Sequence, residues 1–305
     1  MGELRSFLFP VFASAIDEGR VGIPAPRGAR NVKPRIVIRL FDRLSVRGGD
    51  QELLQRSSKN ARELLCYLIV GRRSSVPRES LAALIAGKHS VKKSKKALRQ
   101  ALWHLRRGLV IHGVKCVDRV LTFGDGWVQF TPDGNVRVDI LEFEQAVDRS
   151  IGTEDGRSVD TKGLRDALEV YRGGLLQGWY QEWCLEERER LRQLYLRALD
   201  ALIADCEFNH EVSAGVAYAG QALHADPARE CTHRALMRLY CLAGDRASAI
   251  HQYERCKEAL REELDVEPDG ETRALEREIR AGKHPVAPAV RPPVPKWGSP
   301  RRNKF

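Results

Sequence analysis

A run of positive charge at positions 92–109, KKSKKALRQALWHLRRGL, contains seven lysine and arginine residues and no aspartate or glutamate. Ammonium and guanidinium groups donate hydrogen bonds to phosphate oxygens and to the edges of bases, so such a run can bind a polyanion. The run could equally lie on an anionic membrane, dock on an acidic protein or form a solvated helix surface. The positions of its apolar residues help to distinguish these possibilities.

The apolar residues of this run recur at helical spacing. On a helix of 100° per residue they fall within an arc of roughly 120° and predict a core-facing stripe. The stripe consists of Leu98, Ala101, Leu102, Leu105 and Leu109. Because neighbouring helices need this stripe for their own burial, a helix that lies in a membrane interface is disfavoured. The opposite face carries the positive charges, and we call the predicted element the basic helix.

A solvated surface alone does not account for the outer face of the basic helix. Exposed helices are usually supported by i,i+4 ion pairs of about 0.2–0.5 kcal/mol each, whereas like charges without acidic partners repel one another. In a helix-turn-helix the exposed face of the last helix enters the major groove, where Arg and Lys pair with guanine and Gln with adenine. The residues predicted to face bases are Lys95, Lys96, Arg99, Gln100 and Trp103. Those predicted to hold phosphates are Lys92, Arg106 and Arg107.

Two further assignments stay open at the level of sequence. Trp103 could instead contact a polymerase subunit or a second protomer, because an exposed indole offers apolar area to either partner. Four basic residues at loop and helix starts are equally compatible with ordinary surface positions and with phosphate contacts. They are Lys59, Arg72, Arg73 and, on the side of the predicted wing, Arg119.

The segments around the basic helix have the order of a winged helix-turn-helix. Apolar residues alternate along 35–40 and continue to a Gly-Gly-Asp turn at 48–50, which predicts a short β-ribbon. Helical spacing then predicts helices over 59–71 and 77–87. After the basic helix, two β-rich runs flank a Gly-Asp-Gly turn within 117–130. Three helices closed by a hairpin are therefore expected to position the basic face.

Composition and charge indicate a soluble protein with two dissimilar halves. The 305 residues are 43% hydrophobic and 30% charged, and no run approaches the roughly 18 apolar residues that span a bilayer. Residues 35–130 carry 20 Lys/Arg against 7 Asp/Glu, a net +13, whereas 139–282 carry 19 against 30, a net −11. The apolar run at 7–16 is short and contains proline, so we expect no signal peptide. Seven cysteines without a C-x-x-C pair suit a reducing cytoplasm.

From residue 139 onward, long amphipathic runs predict an almost wholly helical domain. Two units lie 34 residues apart, the period of tetratricopeptide helix pairs, with His210 where the first turn would have glycine and Gly244 in the second. Gly215 takes the small position at which helices approach. The predicted segments are an irregular arm at 1–34, a winged helix-turn-helix at 35–130, a tetratricopeptide-like domain at 139–282 and a disordered Pro-rich basic tail at 283–305.

Residue types that could support catalysis or bind a metal do not form a site. His224, Cys231 and His233 are close in sequence, but no second pair completes four zinc ligands. The carboxylates of EWCLEERERLR alternate with arginines, which favours helix-surface ion pairs over a general acid–base pair. No G-x-x-x-x-G-K-[ST] motif occurs. We therefore predict that the protein is not an enzyme and needs no cofactor or metal.

Several segments together resemble the bacterial transcriptional activator domain (BTAD) family, which includes the antibiotic-pathway regulators called SARPs. In the first half the matching pieces are KNARELLCYL, VPRESLAALI and ALRQALWHLRRGL. In the second half the most specific are ALHADPARECTHRALMRLYCLAGDRASAIHQYE and LREELDVEPDGETRALEREI. The resemblance covers about residues 35–282 and implies an OmpR-like winged helix, binding to direct repeats near promoters, and recruitment of RNA polymerase. Trp103 departs from the family, which usually has a small or polar residue there.

The predicted fold class is mostly α, with an N-terminal α+β winged helix-turn-helix followed by an all-α tetratricopeptide-like domain. Two functions are compatible with it. The first is a cytoplasmic, nucleoid-associated activator that binds double-stranded DNA in a sequence-specific way, with RNA polymerase subunits and a second protomer as further partners. The second is a tetratricopeptide-type scaffold whose basic domain binds RNA or an acidic protein.

Overall fold

The computed structural model describes residues 36–72, 74–86, 91–111, 114–151 and 159–283.

The first sheet forms where apolar and polar residues alternate. Ile36 and Ile38 are fully buried in β1 (Ile36–Arg39), as the alternation predicts. β1 pairs antiparallel with β2 (Ser45–Gly48), and β2 pairs with β3 (Gln51–Glu52) across the predicted Gly-Gly-Asp turn. The predicted arm, Arg73, the helix end at Gly87 and the tail from residue 284 lie outside the described residues.

A strand from the stretch between the two predicted domains completes this sheet. β9 (Val136–Val138) pairs parallel to β1, which gives the strand order β3-β2-β1-β9. The next residue, Asp139, begins α4 (Asp139–Ile151), and its carboxylate accepts hydrogen bonds from the backbone N–H groups of Leu40 (2.8 Å) and Phe41 (2.9 Å). Burial raises the pKa of the Asp139 carboxyl to about 6, although these donors lower it. Asp139 thereby joins the first strand to the start of the helical segment at residues 139–282, which we call the helical half.

Three helices follow the first sheet. They are α1 (Lys59–Val70), α2 (Arg78–Ala86) and α3 (Val91–Gly108), and α3 contains most of the predicted basic helix. Ser58 caps α1 by accepting a hydrogen bond from the backbone N–H of Ala61 at 3.3 Å, which satisfies one of the free donors at a helix start. The apolar residues whose helical spacing predicted α1 are all buried. They are Ala61, Leu64, Leu65, Leu68 and Ile69.

A second, three-stranded sheet closes the winged helix. The strand β4 (Val76–Pro77) pairs with β8 (Trp127–Phe130), and β8 pairs with β7 (Leu121–Phe123). Pro77 therefore lies in a strand just before α2 and not within its first turn. Between α3 and β7 the chain forms a small hairpin, β5 (Val110–Ile111) with β6 (Val114–Lys115), which the sequence pattern did not predict.

The helical half continues after α4 with six helices in the described residues. They are α5 (Thr161–Val170), α6 (Glu182–Phe208), α7 (Val212–Ala225), α8 (Glu230–Leu242), α9 (Arg246–Leu264) and α10 (Gly270–Arg280). The turns of the pairs α6/α7 and α8/α9 contain His210 (φ 58°) and Gly244 (φ 75°). The left-handed conformation that glycine favours thus occurs at both predicted turn positions. A Cβ on Gly215 would lie 2.9 Å from the Leu239 side chain, which confirms a close helix approach.

The winged helix and the helical half share one hydrophobic core. A single cluster of buried apolar side chains extends from Ile36 in β1 to Leu202 in α6. Across the junction, the Tyr67 ring of α1 meets the Trp183 ring of α6 edge-to-face, with centroids 5.6 Å apart. Because α1 also packs against α3, the helical half supports the position of the basic helix.

A buried histidine in the helical half makes the stability of the fold depend on pH. Nε2 of His233 lies 2.9 Å from the Pro227 carbonyl oxygen, and Nδ1 lies 2.6 Å from Nε2 of Gln252. These partners fit a neutral ring in which Nε2 donates and Nδ1 accepts. Burial lowers the pKa of His233, so its protonation favours the unfolded chain.

We expect acidification to destabilise the fold through the buried ring of His233. A lowered folded-state pKa contributes stability that is present above the unfolded pKa of about 6.5 and is lost as the pH falls below it. The free energy of unfolding should therefore depend less on pH between about 7.5 and 5.5 in a His233→Gln variant than in the wild type. Urea unfolding at a series of pH values measures both dependences. Equal pH dependence in the two proteins would contradict the role assigned to His233.

Candidate nucleic-acid interface

The inner face of α3 fixes its position in the fold. The five residues of the predicted apolar stripe are all buried, and they pack α3 against α1 and α2. At the end of the helix, a Cβ on Gly108 would lie 2.3 Å from Cδ2 of Leu54 and 2.7 Å from Oγ of Ser57. Glycine therefore allows the end of α3 to lie directly against the loop before α1. The predicted inward face is confirmed.

The outer face of α3 is a continuous basic surface. Its exposed residues are Lys92, Lys93, Lys95, Lys96, Arg99, Gln100, Trp103, Arg106 and Arg107. Within the described part of the chain, the one ion pair of its seven cations joins Lys95 Nζ to Glu79 Oε1 of α2, at 3.7 Å between two exposed side chains. Such an exposed pair contributes little, so nearly all of the positive charge is available to a ligand. We call these nine residues the basic surface.

A shallow, open depression lies in the middle of the basic surface. It has a volume of about 380 Å³ and is lined by Lys96, Arg99, Gln100, Trp103 and His104. Three of these side chains can donate hydrogen bonds from charged or amide nitrogen, and Trp103 adds an apolar ring. The structure thus brings together four of the five residues predicted to face bases.

Cation–π contacts orient two arginines of the basic surface in the last turns of α3. The Cζ atom of Arg107 lies 4.9 Å from the centroid of the Trp103 ring. The Cζ atom of Arg106 lies 4.5 Å from the centroid of Phe123 in β7. The latter contact joins α3 to the hairpin β7–β8, which is the wing. Both arginines stay exposed, and each contact restricts a side chain that would otherwise be free.

The tip of the wing is a tight turn closed by an indole. The predicted Gly-Asp-Gly turn connects β7 to β8, and Gly126 has φ 77°. The Trp127 side chain folds over Gly124, where a Cβ would lie 1.9 Å from Cε2 of the indole. The glycine at position 124 is therefore required by the packing of Trp127.

We expect Gly124→Ala to deform the wing. The added methyl group must displace Trp127, and overpacking of this kind costs about 1–3 kcal/mol. Gly134→Ala is the matched control, because a Cβ there meets nothing within 4 Å. Urea unfolding of the two variants should show a loss of stability for Gly124→Ala alone. Equal stability of both variants would show that the indole moves aside freely.

The four further basic candidates have different surroundings. Lys59 is exposed at the start of α1, whereas Arg73 lies outside the described residues. Arg119 Nε donates to Asp133 Oδ2 at 2.7 Å, so an acidic partner neutralises it, and this hydrogen bond raises the pKa of Arg119. Arg72 does not lie on the basic surface. It is 12% exposed and pairs with Glu144 of α4, inside the junction with the helical half.

Lys93, within the basic surface, and Arg78, on the neighbouring helix α2, are exposed cations that were not among the predicted site residues. Lys93 belongs to the same charged run, and Arg78 is the first residue of α2. The backbone N–H of Arg78 donates to the carbonyl of Gly126 in the wing at 2.8 Å, which places this helix start beside the wing. Its position directly after Pro77 is the sequence signal that could have identified it, because proline commonly precedes or opens a helix.

The described residues do not support a metal site or a membrane span. Across these ranges, no three His, Cys, Asp or Glu side chains come together as metal ligands would. His233, one of the residues considered for zinc, is buried against Pro227 and Gln252. No described helix combines the length and apolar composition that a membrane crossing requires.

Comparison with known proteins identifies the helical half. Residues 138–280 match the family model described as bacterial transcriptional activator domain. Mycobacterium tuberculosis EmbR, solved in complex with a low-affinity phosphopeptide, has a similar fold, with a TM-score of 0.70 at 20% identity over 83% of this chain and 67% of that chain. No curated protein matches the sequence. The predicted fold class is confirmed, and residues 138–280 match the bacterial transcriptional activator domain that the sequence resemblance predicted.

Proposed function

We propose that the protein regulates transcription by binding double-stranded DNA in a sequence-specific way through α3. The observation that carries this proposal is the basic surface. Among the described residues its seven cations make one ion pair, and both of its side chains are exposed. The leucine stripe on the opposite face packs α3 into the core. A helix about 10–12 Å in diameter fits the major groove, which is about 12 Å wide. The bacterial transcriptional activator domain that follows is consistent with a regulatory role.

The geometry of α3 suggests how the contacts are divided. Lys96 and Trp103 are separated by seven residues, or about 10 Å along the helix axis, which corresponds to about three base pairs of B-DNA. We therefore retain Lys95, Lys96, Arg99, Gln100 and Trp103 as base-facing residues. Lys92, Arg106 and Arg107 are proposed to hold phosphates, and Lys59 is a more peripheral candidate. Arg72 is omitted because its guanidinium is used inside the protein.

The helical half is proposed to contact other proteins. Its net charge of −11, from 19 Lys/Arg against 30 Asp/Glu in residues 139–282, makes it a poor ligand for DNA. An activator of this design would bind promoter repeats as a pair of protomers and contact RNA polymerase through the helical half. We place this activity in the cytoplasm, at the nucleoid, and assign no catalytic step to it.

Binding to the protein's own upstream DNA tests the proposal. Fluorescence anisotropy is measured at several salt concentrations, with unrelated duplex DNA and structured RNA as competitors. We expect upstream DNA to resist competition and the affinity to fall with salt, with a slope in log K against log [salt] of about −0.9 per phosphate contacted. Equal competition by unrelated DNA would contradict specific recognition. Preferential binding of RNA would favour the scaffold alternative.

A further inference from the structure

Trp103 is placed as a ligand-binding group and not as part of the core. Its side chain is 51% exposed, on the face of α3 opposite the leucine stripe. Single exposed apolar residues are common on proteins, but an indole in the centre of a cationic surface is not explained by folding. The other tryptophans of the described residues, Trp127, Trp179 and Trp183, are partly or fully buried.

The neighbours of Trp103 give the ring a defined orientation. The His104 ring meets it edge-on, with centroids 5.0 Å apart and an interplanar angle of 80°. The Arg107 guanidinium lies over the ring at 4.9 Å, one helical turn further along α3. Arg99 and Gln100 precede Trp103 by four and three residues, so they occupy the same face of the helix. A ligand that reaches Arg99 and Gln100 therefore also reaches the indole.

The chemistry of the groove limits what the indole can bind. Base edges in the major groove present hydrogen-bond donors, acceptors and one apolar group, which is the C5-methyl of thymine. The indole carries one N–H donor and is otherwise apolar, so a phosphate uses little of its surface. We infer that Trp103 is a specificity-determining residue that reads thymine by packing against its methyl group. This inference rests on the proposed binding of α3 in the major groove.

Deoxyuridine substitution removes the thymine methyl and nothing else. The site is first located by footprinting, and each thymidine within it is then replaced singly by deoxyuridine. We expect the wild type to lose about four-fold in affinity at one or two positions, the factor that corresponds to burial of one methyl group. Trp103→Ala should bind the unmodified site more weakly and be insensitive to those same substitutions. Tyr180→Ala, which removes an 80% exposed aromatic ring elsewhere, should retain the wild-type sensitivity.

The possible failures are distinguishable. If the wild type binds the site specifically but no deoxyuridine substitution weakens it, or if Trp103→Ala keeps the same four-fold loss, thymine reading by Trp103 is wrong while the proposed function stands. Loss of cooperativity between repeats in Trp103→Ala without a change in base preference would instead place the indole against a second protomer and overturn the inference. Absence of any preference for upstream DNA would overturn the proposed function, and this inference with it.

Discussion

Replacing Glu144 by alanine is expected to lower the free energy of unfolding by about 3–5 kcal/mol, the cost of breaking a buried ion pair from one side. The Glu144 side chain is 7% exposed and accepts hydrogen bonds from the guanidinium groups of Arg72 and Arg190. Burial alone would raise the pKa of this carboxyl, but the two arginines outweigh it and hold the pKa below its usual value. The carboxylate therefore stabilises the fold only when it is ionised.

The consequence of removing Glu144 differs for its two partners. Arg190 retains Glu187, whose carboxylate lies 2.6 Å from it, so its charge stays compensated. Arg72 retains only long hydrogen bonds, of 3.3 Å, to the carbonyls of Ile69 and Val70 among its described contacts. A buried charge left in this way is the main cause of the expected loss. Because Arg72 follows α1 and Glu144 lies in α4, the change also loosens the junction that supports α3.

Urea unfolding of matched variants measures this effect. Glu254→Ala removes a carboxylate of similar type from an exposed pair with Arg280 at 3.7 Å, and we expect it to cost less than about 1 kcal/mol. Glu144→Gln should fall between the two, because the amide oxygen still accepts a hydrogen bond but carries no charge. Similar stabilities of Glu144→Ala and Glu254→Ala would show that the buried pair contributes no more than a surface pair.

Neutralising the centre of the basic surface is expected to remove most of the specific affinity for DNA. In the Lys95→Gln, Lys96→Gln, Arg99→Gln triple variant, three side chains that can pair with guanine edges lose their charge. Each such contact contributes about 1–3 kcal/mol, so the dissociation constant should rise about 100-fold or more. All three side chains are exposed, so we expect the fold to be retained. Circular dichroism and anisotropy measure fold and affinity on the same samples.

A charge-matched variant separates local contact from net charge. Arg255, Lys257 and Arg261 are exposed on α9, and their replacement by glutamine removes the same three charges from the helical half. This control should bind DNA nearly as well as the wild type, because the charges lie outside the proposed contact. Replacing the proposed phosphate contacts Lys92, Arg106 and Arg107 should instead reduce the steepness of the salt dependence by about 0.9 per residue. Equal losses in the α3 triple and the α9 control would assign binding to general electrostatics.

Local periodicity predicted the elements that carry the basic surface. The leucine stripe of α3 follows from spacing within one helix, and the left-handed turns at His210 and Gly244 follow from a repeat of 34 residues. Both signals lie within short stretches of sequence, so they can be recognised without knowledge of the tertiary fold. The division of α3 into a buried face and a charged face was therefore predictable.

Long-range pairings were not predictable in the same way. Arg72 has the composition and loop position of a phosphate contact, yet its partner Glu144 lies 72 residues away, and no local pattern indicates that pairing. β9 joins β1 across about 100 residues, so its short apolar run gave no sign of a parallel strand. Arg119 is neutralised by Asp133, fourteen residues further on and beyond the wing turn. Which cations are free for a ligand is thus decided by tertiary contacts.

Photo-crosslinking tests most directly whether α3 lies in the major groove of the DNA. The protein is bound to upstream DNA that carries 5-iododeoxyuridine at single thymidine positions, irradiated, digested with trypsin and analysed by mass spectrometry. Cleavage after Arg99 and Arg106 releases residues 100–106, which include Gln100 and Trp103. We predict crosslinks in this peptide at positions within the footprint. Crosslinks confined to the helical half, residues 139–282, would contradict the proposed interface.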